Sequence, residues 1–384
     1  MQKYLSFFIR SAGLSFASFL QAYAYGAYEG LVRRAVGSAH DAEGSYSVLV
    51  VQLGQIGDFV LTLPLFAALK EAHGERLRLC VLTDSINKTL ACGNPDIDGL
   101  ILYNSPKYTR SSPSGHLPEE LRNGASFDQV LWLRGDRRVF LWMASRRIPM
   151  ASVTRFSNPL RWSWLPLITG RPVKRAFPHF VESLYMLDNA ACPSARVKRP
   201  AGALIRRGGR RVYIHIGSGS ELRRWPRANF SGVCAHLLEW DPSLTVCLLG
   251  SKDDSGSAEL IRNGFYMDGY SDRVANHCGV HTLDELSSAL SDGDLYIGFD
   301  SGPMHIAAAS GIPIVALMGP QSPQLFGPWT DRPARIIYKS YYCSPCWQFS
   351  CLHSDGGPGA CVLAIKPQEV FDEAKSVLED DSIS

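Results

Sequence analysis

The chain has 384 residues, a length that suits two domains of ordinary size, each able to bury a sizeable core. Hydrophobic residues make up 46% and charged ones 20%, and the 34 glycines and 23 prolines are spread along the chain, which excludes disordered, collagen-like and disulfide-scaffold classes. With 39 Lys and Arg against 36 Asp and Glu, the net charge of +3 is too small for a protein that coats nucleic acid globally, so any charge argument is local.

Leu5, Phe8, Ile9, Ala12, Phe16, Phe19, Leu20, Tyr23, Ala27 and Leu31 recur at the spacing of one helix face, with Arg10, Ser11, Ser15, Ser18, Glu29 and Arg33 opposite. The pattern predicts an amphipathic extension over residues 1–45 that lies in a membrane interface or packs on the protein's own body. Ala22-Tyr23-Ala24 resembles a signal-peptide cleavage site, but Arg10 interrupts the apolar stretch and the following run is rich in Ser, Gly and Gln. The same features argue against a transmembrane span.

Tyr46 to Leu53 reads as a buried strand that ends in Gly54-Gln55-Ile56-Gly57-Asp58 and passes into a helix over Phe59 to Ala72. Further strands are predicted at Leu77 to Leu82, Leu100 to Tyr103 and Val130 to Leu133, with helical stretches between. After the basic stretch Arg196 to Arg211 the pattern restarts, with strands at Val212 to Ile216, Thr245 to Leu249, Leu295 to Gly298 and Ile314 to Leu317. Helices fit Arg227 to Glu239, Ser255 to Arg262, Leu283 to Leu290, Met304 to Ser310 and Pro367 to Leu378. The expectation is an α/β protein of two doubly wound, Rossmann-like domains facing a cleft, over residues 46–200 and 201–384. In such sheets ligands bind at the carboxyl ends of the strands, so the loops there carry the chemistry.

Gly54 to Gly57 is Gly-x-x-Gly followed by an acid, not the spaced glycine triplet of a dinucleotide fingerprint. Its informative member is Asp58, either a catalytic carboxylate or a first-turn acid favoured by the helix dipole. Asp300-Ser301-Gly302-Pro303-Met304-His305 follows a strand and opens a small-residue helix; the amides of Ser301 and Gly302, the Ser301 hydroxyl and His305 one turn on are placed to address an anion. His215-Ile216-Gly217-Ser218-Gly219-Ser220 leads to Arg223-Arg224-Trp225-Pro226, with Ser218 and Ser220 as donors to phosphate oxygens and Arg223 as a fixed charge. The plainer reading of both loops is a capped helix with a packed histidine and a closed surface loop.

Together these residues resemble glycosyltransferase family 9, the heptosyltransferases of lipopolysaccharide core assembly and their relatives. Four segments within residues 47–375 carry the resemblance: Val50 to Asp58 with Leu61-Thr62-Leu63-Pro64; His215 to Pro226; Gly279 to Leu290; and Ile297 to His305 continuing to Gly311-Ile312-Pro313 and Gly319-Pro320. The resemblance implies a GT-B fold, acceptor on the first domain and nucleotide sugar on the second, and inverting transfer without a catalytic metal or other cofactor. It places the general base at Asp58, the donor diphosphate against Asp300, Ser301, Gly302 and His305, and a phosphate contact at Ser218 and Ser220. Arg223 stands where members commonly carry lysine, which keeps the charge and changes its geometry.

From Gln129 to Val181 ten Arg or Lys, among them Arg134, Arg137 and Arg138, stand against one acid, Asp136, with Trp132, Trp142, Trp162 and Trp164 interleaved. This suits an anionic lipid-linked acceptor at a membrane surface, or is a solvated basic face. No binding motif supports nucleic acid as a partner.

Ten cysteines occur. Six (Cys80, Cys92, Cys192, Cys234, Cys247, Cys278) lie in apolar runs and read as reduced core thiols of a cytosolic protein. Cys343, Cys346, Cys351 and Cys361 cluster within a loop region at 341–361 and read as a structural zinc or iron site, free thiols or disulfides. The resulting expectation is a bacterial enzyme, cytoplasmic and peripheral on the inner face of the inner membrane, that moves a heptose or related sugar from a nucleoside diphosphate sugar such as ADP-heptose to a lipopolysaccharide core or other lipid-linked saccharide. The alternatives are a protein (autotransporter) heptosyltransferase and a nucleotide-sugar-binding protein without turnover.

Overall fold

The computed structural model describes residues 45–109, 113–148, 150–154, 174–175, 179–184, 209–341, 343–346, 351 and 359–380. The amino-terminal helix, Cys192, Trp162, Trp164 and most of the basic stretch after Arg196 lie outside the described residues. The chain divides at 197/198 into two compact units.

The first unit is built on β1 (Tyr46–Gln52), β2 (Leu77–Thr83), β3 (Gly99–Leu102), β4 (Gln129–Arg134), β5 (Met150–Thr154) and β6 (Lys174–Arg175), in the spatial order β3-β2-β1-β4-β5-β6. All neighbours pair parallel. β1 and β2 are nearly continuous aliphatic runs because helices and loops cover the sheet on both faces. Leu49, Val51, Leu82, Val130, Trp132, Phe140 and Met143 form one side of that core.

The single helix expected over Phe59 to Ala72 is instead two, α1 (Ile56–Val60) and α2 (Leu63–His73). Pro64 enters the first turn of α2, where it has no amide to continue the helical ladder. The Thr62 hydroxyl donates instead to the Asp58 carbonyl at 2.8 Å, closing the end of α1. Asp58 therefore sits in a short, separately anchored turn rather than in a long helix.

The second unit repeats the plan with β7 (Arg211–His215), β8 (Thr245–Leu249), β9 (Val274–Asn276), β10 (Leu295–Phe299), β11 (Ile314–Met318) and β12 (Ala334–Tyr338), ordered β12-β11-β10-β7-β8-β9. Read from its own first strand this is the order of the first sheet. In both, the chain reverses direction between the first and fourth strands, the crevice where doubly wound sheets take ligands. The helices that cover it include α4 (Arg227–Trp240), α5 (Ser255–Asn263), α6 (Leu283–Ser291), α7 (Gly302–Ser310) and α8 (Pro367–Leu378). Trp225, Phe230 and Phe299 meet edge to face with centroids 5.1–6.3 Å apart, and Trp225 Nε1 donates to the Ile365 carbonyl at 3.3 Å. That aromatic anchor fixes the far end of the loop carrying Arg223. Among the described residues no helix is long and apolar enough to cross a membrane.

Candidate active site

In the first unit the crevice lies between the ends of β1 and β4. The loop after β1 is fastened from two sides: Leu53 N donates to the Arg134 carbonyl at 2.8 Å, and Gly54 N donates to Asp84 Oδ2. Asp84 also accepts from Ser105 N at 3.1 Å and Thr109 Oγ1 at 2.6 Å, so one buried carboxylate ties three segments together. Asn87 Nδ2 donates to the Gly54 carbonyl at 3.0 Å. Asp58 leaves this loop in the first turn of α1, and Arg134 Nη1 donates to its Oδ2. The guanidinium lies 4.6 Å from the Tyr108 ring centroid, and Tyr108 donates through its hydroxyl to the Gly135 carbonyl at 3.0 Å.

The arginines expected to bind acceptor thus separate. Arg134 is on Asp58; Arg138 spends Nη1 on the carbonyls of Ser114 and Gly115 at 3.0 and 2.7 Å; Arg137 is exposed at the start of α3 (Arg137–Ser145). Asp136, the single acid of that stretch, caps α3 through the amides of Arg138 and Val139 at 3.0 Å, and accepts from Tyr103 and Ser105 hydroxyls at 2.9 and 2.6 Å. Burial and the adjacent Asp136 push the Tyr103 phenol up to about 12, so it remains a donor. The reading of interleaved tryptophans as a membrane-facing feature is corrected for the two described: Trp132 and Trp142 are buried, the first edge to face with Phe140 and the second donating to the Leu121 carbonyl at 2.8 Å.

In the second unit the crevice lies between β7 and β10. Arg223, in the turn Glu221–Arg223, donates through Nη1 to Asp300 Oδ2 at 3.0 Å and to the Asp300 carbonyl. His305 Nε2 is 3.5 Å from Asp300 Oδ1. Asp300 therefore faces two cationic or protonatable partners, and it orients them rather than presenting a bare negative charge to a ligand. Ser301 is the extended residue before α7, Pro303 sits in the first turn, and the amides of Met304 and His305 donate to the Ser301 carbonyl at 3.1 and 3.4 Å. The Ser301 hydroxyl here is buried beside the Tyr296 phenol, while His305 Nδ1 is buried without a hydrogen bond. Groups of this kind are rare in folded proteins unless a ligand or water completes them.

Ser218 is partly committed: its hydroxyl donates to the Ser220 carbonyl at 2.9 Å and accepts from Ser220 N at 3.1 Å, folding the loop on itself. His215, at the end of β7, was not singled out by its residue type in the sequence. Its Nδ1 is buried and unpaired, and desolvation, partly offset by Asp254, lowers its pKa to about 4, so it is neutral near pH 7. Gly217 leaves room for Asp254, whose Oδ2 lies 2.5 Å from where a β-carbon would stand.

Cys343, Cys346, Cys351 and Cys361 line one cavity of about 10 Å³ together with Leu222 and Pro320. Burial, with Cys346 and Cys343 adding to it, raises the Cys361 thiol. Among the described residues no three His, Cys, Asp or Glu side chains are arranged to hold a metal ion. Of the scattered thiols, Cys80, Cys234, Cys247 and Cys278 are buried as expected, whereas Cys92 is exposed.

Two parallel six-stranded sheets of one topology, each with polar loops at its reversal point, have the GT-B architecture. The solved structure of Escherichia coli ADP-heptose lipopolysaccharide heptosyltransferase II shares it, with a TM-score of 0.62 at 20% identity, covering 88% of this chain and 99% of that one. Residues 194–355 match glycosyltransferase family 9 (heptosyltransferase), and the chain is similar to members of that family. Lipooligosaccharide heptosyltransferase 2 of Campylobacter jejuni is 26% identical over 211 residues, 51% of this chain and 63% of that relative, so the match spans less than two thirds of its length. Escherichia coli lipopolysaccharide heptosyltransferase 3 is 25% identical over 293 residues, 72% of this chain and 84% of the relative.

Proposed function

We propose that the chain is an inverting glycosyltransferase that moves a heptose or related sugar from a nucleoside diphosphate sugar, ADP-heptose first among them, to a lipopolysaccharide core or other anionic lipid-linked saccharide. The observation that carries this reading is the polar cluster at the start of α7, where the buried, unpaired His305 Nδ1 and the Ser301 hydroxyl stand at a helix N-terminus beside an arginine held by Asp300. Its chemistry fits a diphosphate.

In the proposed reaction the acceptor oxygen attacks the anomeric carbon while its proton passes to the Asp58 carboxylate. The bond from that carbon to the diphosphate breaks and its electron pair leaves with the nucleoside diphosphate. Attack opposite the leaving group inverts the configuration. Ser301, Gly302, His305 and Arg223 stabilise the charge that grows on the departing oxygens, the role a metal plays in other transferases. The four cysteines supply the donor type of a structural zinc or iron site, but among the described residues no three of them are arranged to hold an ion, so only residue type supports that part of the reading. Attachment to the inner face of the bacterial membrane belongs to the same reading, through the acceptor.

Titration calorimetry with ADP, UDP and GDP tests the donor, followed by transfer assays with the matching sugar. Selective ADP binding is the expected result. Selective UDP or GDP binding moves the assignment to another sugar, and no binding by any of the three overturns it.

A further inference from the structure

Resting on the reading of Asp58 as the base, we propose that Arg134 is a positioning residue for that carboxylate rather than a ligand of the acceptor. The two residues are brought together by topology: Asp58 follows the first strand of the sheet and Arg134 ends the fourth, its direct neighbour. β1 and β4 slip register between Val51 and Gln52, so that Gln52 pairs with Arg134 and skips Leu133. The irregularity ends the ladder at the arginine and re-aims its side chain.

That side chain passes directly over Gly54. A β-carbon there would stand 3.1 Å from Arg134 Nε and 3.2 Å from Cζ, and Gly54 has φ +113°, which L side chains rarely adopt. The first glycine of the Gly-x-x-Gly-Asp loop thus has a definite use: it lets a guanidinium cross the loop and reach the carboxylate four residues on. Behind the guanidinium lies the Tyr108 ring, itself held by the Gly135 carbonyl, and Lys107 Nζ donates to the same carbonyl at 3.2 Å. Backbone, ring and glycine together fix the arginine before any substrate arrives. Its planar fork then fixes Asp58 Oδ2, which sets the direction from which the carboxylate meets an acceptor hydroxyl. An arginine recruited for the acceptor would instead be expected to keep its guanidinium clear of the base.

The test is steady-state kinetics of R134Q, R134K and R134A with ADP-heptose and heptose-deficient lipopolysaccharide, with melting temperatures recorded alongside. R134Q should lose on the order of 100-fold in kcat, the scale of a misplaced catalytic group, with the acceptor KM changed less than about threefold. R134K should recover part of the loss, and millimolar guanidinium should restore part of the R134A rate, which a purely structural role would not allow. If R134Q fails to fold, R134K carries the test through the same split between kcat and KM. A raised acceptor KM with kcat retained makes Arg134 an acceptor ligand and overturns the proposal. Wild-type rates in all three variants also overturn it. A wild-type protein that transfers nothing overturns the underlying reading instead, and this is distinguishable because no variant is then informative.

Discussion

Replacing Gly54 with alanine adds one methyl group at a position where both the backbone and the neighbouring side chain resist it. At φ +113° an L residue is strained, which costs about 1–3 kcal/mol. The new carbon would also stand 3.1–3.4 Å from Nε, Cζ and Cδ of Arg134, closer than ordinary contact. Because these three atoms belong to a long side chain, the crowding is relieved by moving the arginine, at about 1 kcal/mol, the low end of overpacking costs. The sum is about 2–4 kcal/mol, and for a unit of this size each kcal/mol lowers the melting temperature by about 2–4 °C. The two contributions are separable. Gly124 has φ +103° with nothing within 4 Å of its missing β-carbon, so G124A reports backbone strain alone. A double-mutant cycle of G54A with R134A isolates the contact, and the expected coupling is about 1 kcal/mol. The assay is thermal unfolding followed by hydrogen exchange at the amides of residues 53–59. Zero coupling in the cycle would refute the claim that the glycine exists to let the arginine pass.

Other consequences follow from the same geometry. H305A should weaken ADP binding by roughly 10- to 150-fold, the equivalent of one charge-assisted hydrogen bond of about 1.5–3 kcal/mol; an unchanged titration curve removes His305 from the donor site. D58N should abolish turnover while leaving ADP affinity within about twofold, and retained turnover would end the assignment of the base. His215 is neutral when folded because burial lowers its pKa from 6.5 to about 4. Its unfolded form therefore binds a proton first as pH falls, so stability present above pH 6.5 is lost progressively down to pH 4, by about 3 kcal/mol in all. H215N should flatten that part of the acid-denaturation curve, and an identical acid slope in the variant would contradict the cause given. Metal analysis of the purified protein should find about one zinc or iron per chain if the cysteine cavity is a metal staple, and a metal-free, fully folded protein excludes it.

The central strands were legible because burial on both faces writes them as uninterrupted aliphatic runs; Thr245–Leu249 is found where the sequence placed it. The edge strands of the second sheet were not. Ala334–Tyr338 is half exposed and carries Arg335, while Val274–Asn276 is only three residues long, so neither has a pattern that distinguishes it from loop. The split between α1 and α2 was signalled by Pro64, but the apolar periodicity continues across it and masks the break. At the sites, residue type and position after a strand pointed to Asp58, Asp300, Ser301 and His305. The residues that fasten the first site were out of reach, because Asp84, Asp136 and Arg134 act on Gly54, Ser105 and Asp58 through pairings 30 to 76 positions along the chain. The charge of Arg134 was visible in sequence and its address was not.

Topology supplies that address, and it does so twice. Each sheet sets the loop after its first strand beside the end of its fourth, and each uses the junction for an arginine–carboxylate pair. In the first unit the acid follows the first strand and the arginine ends the fourth. In the second the arginine follows the first strand and the acid follows the fourth. The inversion matters chemically. An acid carried by the short helix α1 is held in place by its arginine, as the proposed base must be, whereas an acid placed before α7 holds an arginine and a histidine at the start of that helix, as the proposed anion site requires. Under the proposed reading, one strand order serves proton acceptance in one unit and diphosphate binding in the other, by exchanging which strand carries the charge.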